Sequence, residues 1–146
     1  MRLERVLAQW AGGAMADNPQ SPQGLVTGRW TNEYGSVADI AVDGDRVLGT
    51  YTSAVGDDAG VLSGPISGFV RADIVAFAVL WPAHMRSITS WVGQVVDNDG
   101  VPELKTLWHL IVDLPDADEA AGLWTTVHTG ADVFRQAIDR TPGSDA

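Results

Sequence analysis

The amino-acid sequence predicts an all-β domain, an antiparallel sandwich or barrel of eight short strands. Three observations lead there. Runs of residues that favour strands recur along the chain, broken at short intervals by turn signals. Asp43-Gly44 and Asn98-Asp99-Gly100 are tight hairpin signals between alternating runs. No convincing helical period separates the runs. Short strands at regular spacing with hairpin turns are how sandwiches and barrels are written in sequence.

The expected strands, in order, are residues 26–33, 36–42, 46–53, 61–69, 73–81, 87–97, 102–113 and 122–134. The first follows a stretch rich in Pro, Gln, Ser and Gly, from Pro19 to Gly28, with the composition of a linker. The second and third flank the first hairpin signal, and the sixth and seventh flank the second. The longest connection, DLPDADEAAG from Asp113 to Gly122, has room for a helical turn before the last strand. The ending RTPGSDA is polar. The chain therefore divides into an N-terminal extension (1–25), one β domain (26–136) and a tail (137–146).

At 146 residues there is enough chain for one domain with a real core. An apolar fraction of 45% with 19% charged residues is globular. Nineteen acids against 9 bases give a net charge of -10, which repels nucleic acid and anionic lipid. Neither nucleic acid nor membrane is expected as a partner. Without cysteine there is no disulfide, thiolate nucleophile or zinc-thiolate site. The N-terminal MRLERVLAQWAGGAMADNPQ reads in more than one way. Ala14-Met15-Ala16 is a small-residue pattern that a signal peptidase could cut, which would make the protein extracellular. A short amphipathic helix over residues 2–10, or a start at Met15, would leave it cytoplasmic.

The strands carry an unusual mixture. In GRWTNEYGS, alternation puts Trp30, Asn32, Tyr34 and Ser36 on one face. Tyr51, Ser53 and Val55 share a face in GTYTSAVG, and Ser87, Thr89 and Trp91 in SITSW. So do Phe77, Val79 and Trp81, then Thr106, Trp108 and Leu110, then Asp132 and Phe134. A packed interior would leave these amide, hydroxyl and carboxylate groups needing partners, at roughly 1–3 kcal/mol for each one unsatisfied. A concave pocket removes the difficulty, because a ligand supplies the partners. An eight-stranded barrel can hold one small ligand.

From Gly28 to Phe134 the chain resembles the avidin/streptavidin family of biotin-binding proteins. The resemblance rests on GRWTNEYGS, GTYTSAVG, Trp81 at a strand end, SITSWVGQ, TLWHL and LWTTVHTGADVF, in that order. It implies an eight-stranded antiparallel up-and-down β-barrel, avidin-like, that binds biotin as a ligand and uses no cofactor or metal. It implies that Asn32, Ser36 and Tyr51 donate to the ureido oxygen, and that Ser53 and Asp132 accept from the two ureido N–H groups. Thr89 would sit near the thioether sulfur. Trp81, Trp91, Trp108 and Leu110 would wall the rings and alkyl chain, with Val55 on the face of Tyr51 and Ser53. Ser87 and the backbone N–H near Asp57 would meet the carboxylate at the mouth. Trp124 would reach into a neighbouring subunit's pocket, which favours a homotetramer. Three departures from the streptavidin pattern stand out. Tyr34 replaces a smaller aliphatic residue and would reshape the pocket. The entrance stretch WPAHMRSITSW is shorter. Asp57 and Asp58 follow Gly56, and each would repel a biotin carboxylate by about 1 kcal/mol at roughly 4 Å in water.

Two other readings stay open. The same barrel would hold a different small amphipathic molecule, or the pocket hydroxyls would serve a small hydrolase. A Ser53/His128/Asp132 triad can be written, but no strained G-x-S-x-G turn supports it. His84, His109 and His128 have no metal-like spacing. The expectation is binding without catalysis.

Overall fold

A computed structural model describes residues 1–11, 23–54 and 60–136. Val55, Asp57, Asp58, the Ala14-Met15-Ala16 pattern and the tail from residue 137 lie outside the described residues. The barrel consists of β1 (Gly28–Asn32), β2 (Val37–Asp43), β3 (Arg46–Ser53), β4 (Leu62–Arg71), β5 (Ile74–Leu80), β6 (Ser87–Asn98), β7 (Val101–Val112) and β8 (Val127–Gln136). Each strand pairs antiparallel with the next, and β1 closes on β8. The sandwich alternative is thus settled in favour of a closed up-and-down barrel, which leaves no unpaired edge.

The turns explain the register. Asp99 and Gly100 both have positive φ, 50° and 84°, as a two-residue I′ hairpin requires, and they join Asn98 to its partner Val101. The first hairpin turns on Gly44-Asp45, one residue later than Asp43-Gly44, with Asp43 and Arg46 as the closing pair. With β4–β5 these hairpins sit at one end of the barrel; the longer connections gather at the other. The first end is closed. A 3₁₀ turn, Gln23–Val26, folds across it, and the Trp30 indole N–H donates to the Val26 carbonyl at 2.9 Å. Val26, Trp30, Val47, Val70, Leu104 and Phe134 are fully buried there.

Two strand expectations need correction. Residues 122–126 do not extend the last strand: Glu119–Gly122 is a short helix and Leu123–Thr126 a 3₁₀ turn, so Trp124 sits on a turn, 82% exposed. The first strand ends at Asn32. The Asn32 Oδ1 accepts from the backbone N–H groups of Tyr34 and Ser36, both at 3.0 Å, which bends the chain into a turn. Tyr34 consequently leaves the inner face and is 73% exposed. It does not narrow the interior of this chain's barrel. Outside the barrel, helix α1 (Leu3–Trp10) buries none of its side chains.

Candidate ligand-binding site

Toward the open end the inward alternation continues, but its chemistry changes. On β6, Ser87, Thr89 and Trp91 are buried while Ile88, Ser90 and Val92 face outward. Around the rest of the wall lie Asn32, Ser36, Tyr51 and Asp132, all buried, with Ser53 and, on neighbouring β7, Trp108 and Leu110 half-buried. The ladder explains the grouping. Thr89 pairs with Leu110, Trp91 with Trp108, and Thr106 with Asp132. Ala38 sets Trp30 beside Tyr51 through its pairs on β1 and β3.

Aromatic stacking forms the floor. The Tyr51 and Trp91 rings stack with centroids 4.7 Å apart, and Phe77 stacks on Trp91 at 5.2 Å. Trp81 meets Tyr51 edge-on at 5.7 Å. Such pairs favour offset or edge-to-face contact because of the ring quadrupole.

The polar groups are only half used within the protein, and the unused half has one chemical sense. Asn32 spends its carbonyl on two backbone N–H groups, which fixes the amide's orientation and leaves its NH₂ without a bond to another described residue. The Ser36 hydroxyl accepts from the Ala54 N–H at 3.0 Å and shares a hydrogen bond with the Tyr51 phenol, one that a ligand oxygen placed between them can replace. Burial pushes the Tyr51 phenol up to about 12; the neighbouring Ser36 hydroxyl opposes this, and the carboxylates of Asp132 and Glu33 add to it. The phenol is therefore a neutral O–H donor at any ordinary pH. Asp132 is the complement. One oxygen accepts from the Trp91 indole N–H at 3.2 Å, leaving the other as an acceptor. The Thr89 hydroxyl is taken as an acceptor by the Trp81 indole at 2.8 Å. No buried side-chain nitrogen or oxygen of the described residues lacks a partner altogether. Three donors near one acceptor suit a carbonyl flanked by N–H.

Thr106, expected on the face of Trp108, and two residues with no sequence signal of a role here, Gly130 and Glu33, also shape this region. A Cβ on Gly130 would lie 2.4 Å from the Trp108 ring, so the indole rests where only glycine leaves room. Thr106 Oγ1 donates to the Asp132 carbonyl at 3.0 Å, tying the backbone that carries the carboxylate. Glu33 accepts from the Val133 N–H at 3.1 Å, next to Asp132, where β1 and β8 pair over just three positions. Only the strand register brings these groups to the site. Of the histidines, His109 faces outward, His84 lies in the β5–β6 connection and His128 is exposed. No group of three or more possible metal ligands occurs among the described residues.

Comparison with known proteins agrees with this architecture. The profile of the Avidin family matches residues 20–137. Avidin-related protein 4/5 of Gallus gallus is 34% identical over 93 residues, which cover 58% of this chain and 61% of that protein. The chain thus spans about three fifths of that relative's length. Avidin-related protein 1 of Gallus gallus is 30% identical over 117 residues, 75% of each. Among solved structures, xenavidin superimposes with a TM-score of 0.64 at 28% identity, covering 77% of this chain and 96% of xenavidin. Apo shwanavidin gives 0.64 at 25% identity, covering 77% and 100%. With its closed eight-stranded barrel and a family match over most of its length, the chain belongs to the avidin family.

Proposed function

We propose that the protein binds biotin, non-covalently and with high affinity, at the open end of the barrel and without turnover. In this reading Asn32, Ser36 and Tyr51 donate to the ureido oxygen. Ser53 and Asp132 accept from the ureido N–H groups, the latter through a charge-assisted and hence stronger bond. Thr89 lies beside the sulfur, and Trp81, Trp91, Trp108 and Leu110 enclose the rings and alkyl chain. The observation that carries the proposal is the Asn32 carboxamide. Its oxygen is committed to the turn, which leaves its NH₂ as a donor beside two hydroxyl donors and a carboxylate acceptor.

Assembly as a homotetramer, with Trp124 covering a neighbour's pocket, belongs to the same reading. It is supported by the exposed indole of Trp124 and by Val92 and Leu107, which face outward as a cross-strand pair and are exposed. Exposed apolar surface of this kind marks association sites.

Calorimetric titration with biotin and desthiobiotin, alongside mass in solution, tests both halves. One biotin per chain, with desthiobiotin weaker, and a mass of four chains are expected. Absence of heat with biotin overturns the ligand, and a monomeric mass overturns the assembly.

A further inference from the structure

The described residues at the rim of the open end are chemically unsuited to the free carboxylate that biotin would carry there. Three observations bear on it. Ser87, expected to meet that carboxylate, donates its hydroxyl hydrogen to the Ile111 carbonyl at 3.0 Å. The Ile111 oxygen can only accept, so the direction of this bond is unambiguous. What Ser87 turns toward a ligand is its lone pairs, which receive an N–H and repel a carboxylate oxygen.

The charge around it has the same sense. Among the described residues at this end, Glu33, Asp116, Asp118 and Glu119 are acidic and form no ion pair with another described residue, and the one arginine, Arg86, is already engaged by Asp113 at 2.9 Å. An entering anion meets uncompensated negative charge. Finally, a groove of about 440 Å³ runs from Trp81 and Ser87 over the rim, between Leu80, Ile88 and Ile111. It starts at two residues of the binding region, and its walls are mainly apolar, with the Arg86–Asp113 pair also lining it.

We infer that the site is built for biotin already joined through its carboxyl group to an amine, as an amide, rather than for free biotin. The amide removes the negative charge, presents an N–H to Ser87, and sends its attached chain along the groove. This rests on the biotin reading and adds the chemical class in which biotin arrives.

Stopped-flow association and dissociation rates for biotin, biotin methyl ester, biotin methylamide and biotin hexylamide separate the parts. At about 10 mM salt, both methyl compounds should associate at least about threefold faster than biotin, and the gap should close near 1 M salt. The methylamide should dissociate several-fold more slowly than the ester, which has no N–H. The hexylamide should be slower still, and this last gain should vanish in Ile88→Ser, whose side chain faces outward. Biotin associating as fast as the neutral compounds at low salt would overturn the inference, as would equal dissociation of ester and amide. A hexylamide gain that survives Ile88→Ser removes the groove from it. If none of the four binds, the biotin reading itself falls.

Discussion

The two ends of this barrel obey one alternation and serve opposite ends chemically. Toward the closed end the inward positions are Trp30, Val47, Val70, Leu104 and Phe134, all buried. Toward the open end the inward positions include Asn32, Tyr51, Thr89 and Asp132. The first half is filled by its own side chains; the second keeps hydrogen-bonding capacity in hand. Stability and recognition are thus segregated along the barrel axis, so substitutions at the two ends should separate them.

The largest effect should come from the closed end. Phe134→Ala should cost about 3–5 kcal/mol of stability, read from the urea midpoint, while the folded fraction still binds biotin. At the open end, Asp132→Ala should lose about 1.5–3 kcal/mol of biotin affinity by calorimetry. A larger loss of stability than in Phe134→Ala would break the segregation. Gly130→Ala tests the boundary. The added methyl would displace Trp108, an overpacking worth about 1–3 kcal/mol, and should weaken biotin binding with a changed tryptophan circular-dichroism band.

Two pH effects sharpen the comparison. The Tyr51 phenol is protonated more firmly in the folded protein, about 12 against an ordinary 10.0. Its contribution to stability is complete below pH 10 and is lost as pH climbs toward 12. A phenolate absorbance rise near pH 12, absent in Tyr51→Phe, is expected. At the acid side, the Arg135 guanidinium hydrogen-bonded to Glu103 at 2.9 Å holds that carboxyl below its usual range. That contribution is present above the ordinary carboxylate value and fades as pH falls through the depressed one. Arg135→Ala should flatten the acid limb slightly, since Arg135 is largely exposed.

Much of this was legible in sequence because strand alternation and turn residues are local. Asp99-Gly100 announced its hairpin, and the eight strands lie close to their expected ranges. Alternation points Tyr34 inward only if the strand runs past Asn32, whose side-chain oxygen instead accepts from its own backbone and bends the chain. For Trp124, the apolar content of LWTTV does not distinguish a helical turn from an extended run. The relation of Gly130 to Trp108 was invisible for a different reason. It depends on the register of β7 against β8, which no local signal specifies. The hairpin at Ala72, with φ of 54°, carries no glycine to announce it.

Barrel closure has a practical corollary. Because β1 begins and β8 ends beside each other at the capped end, Trp30 opposite Gln136, any polypeptide appended before Gly28 or after Gln136 departs from the base. A tether, surface or fused enzyme attached at either point would therefore hold the molecule with its aperture turned outward. Such grafting asks nothing of the loops around the entrance.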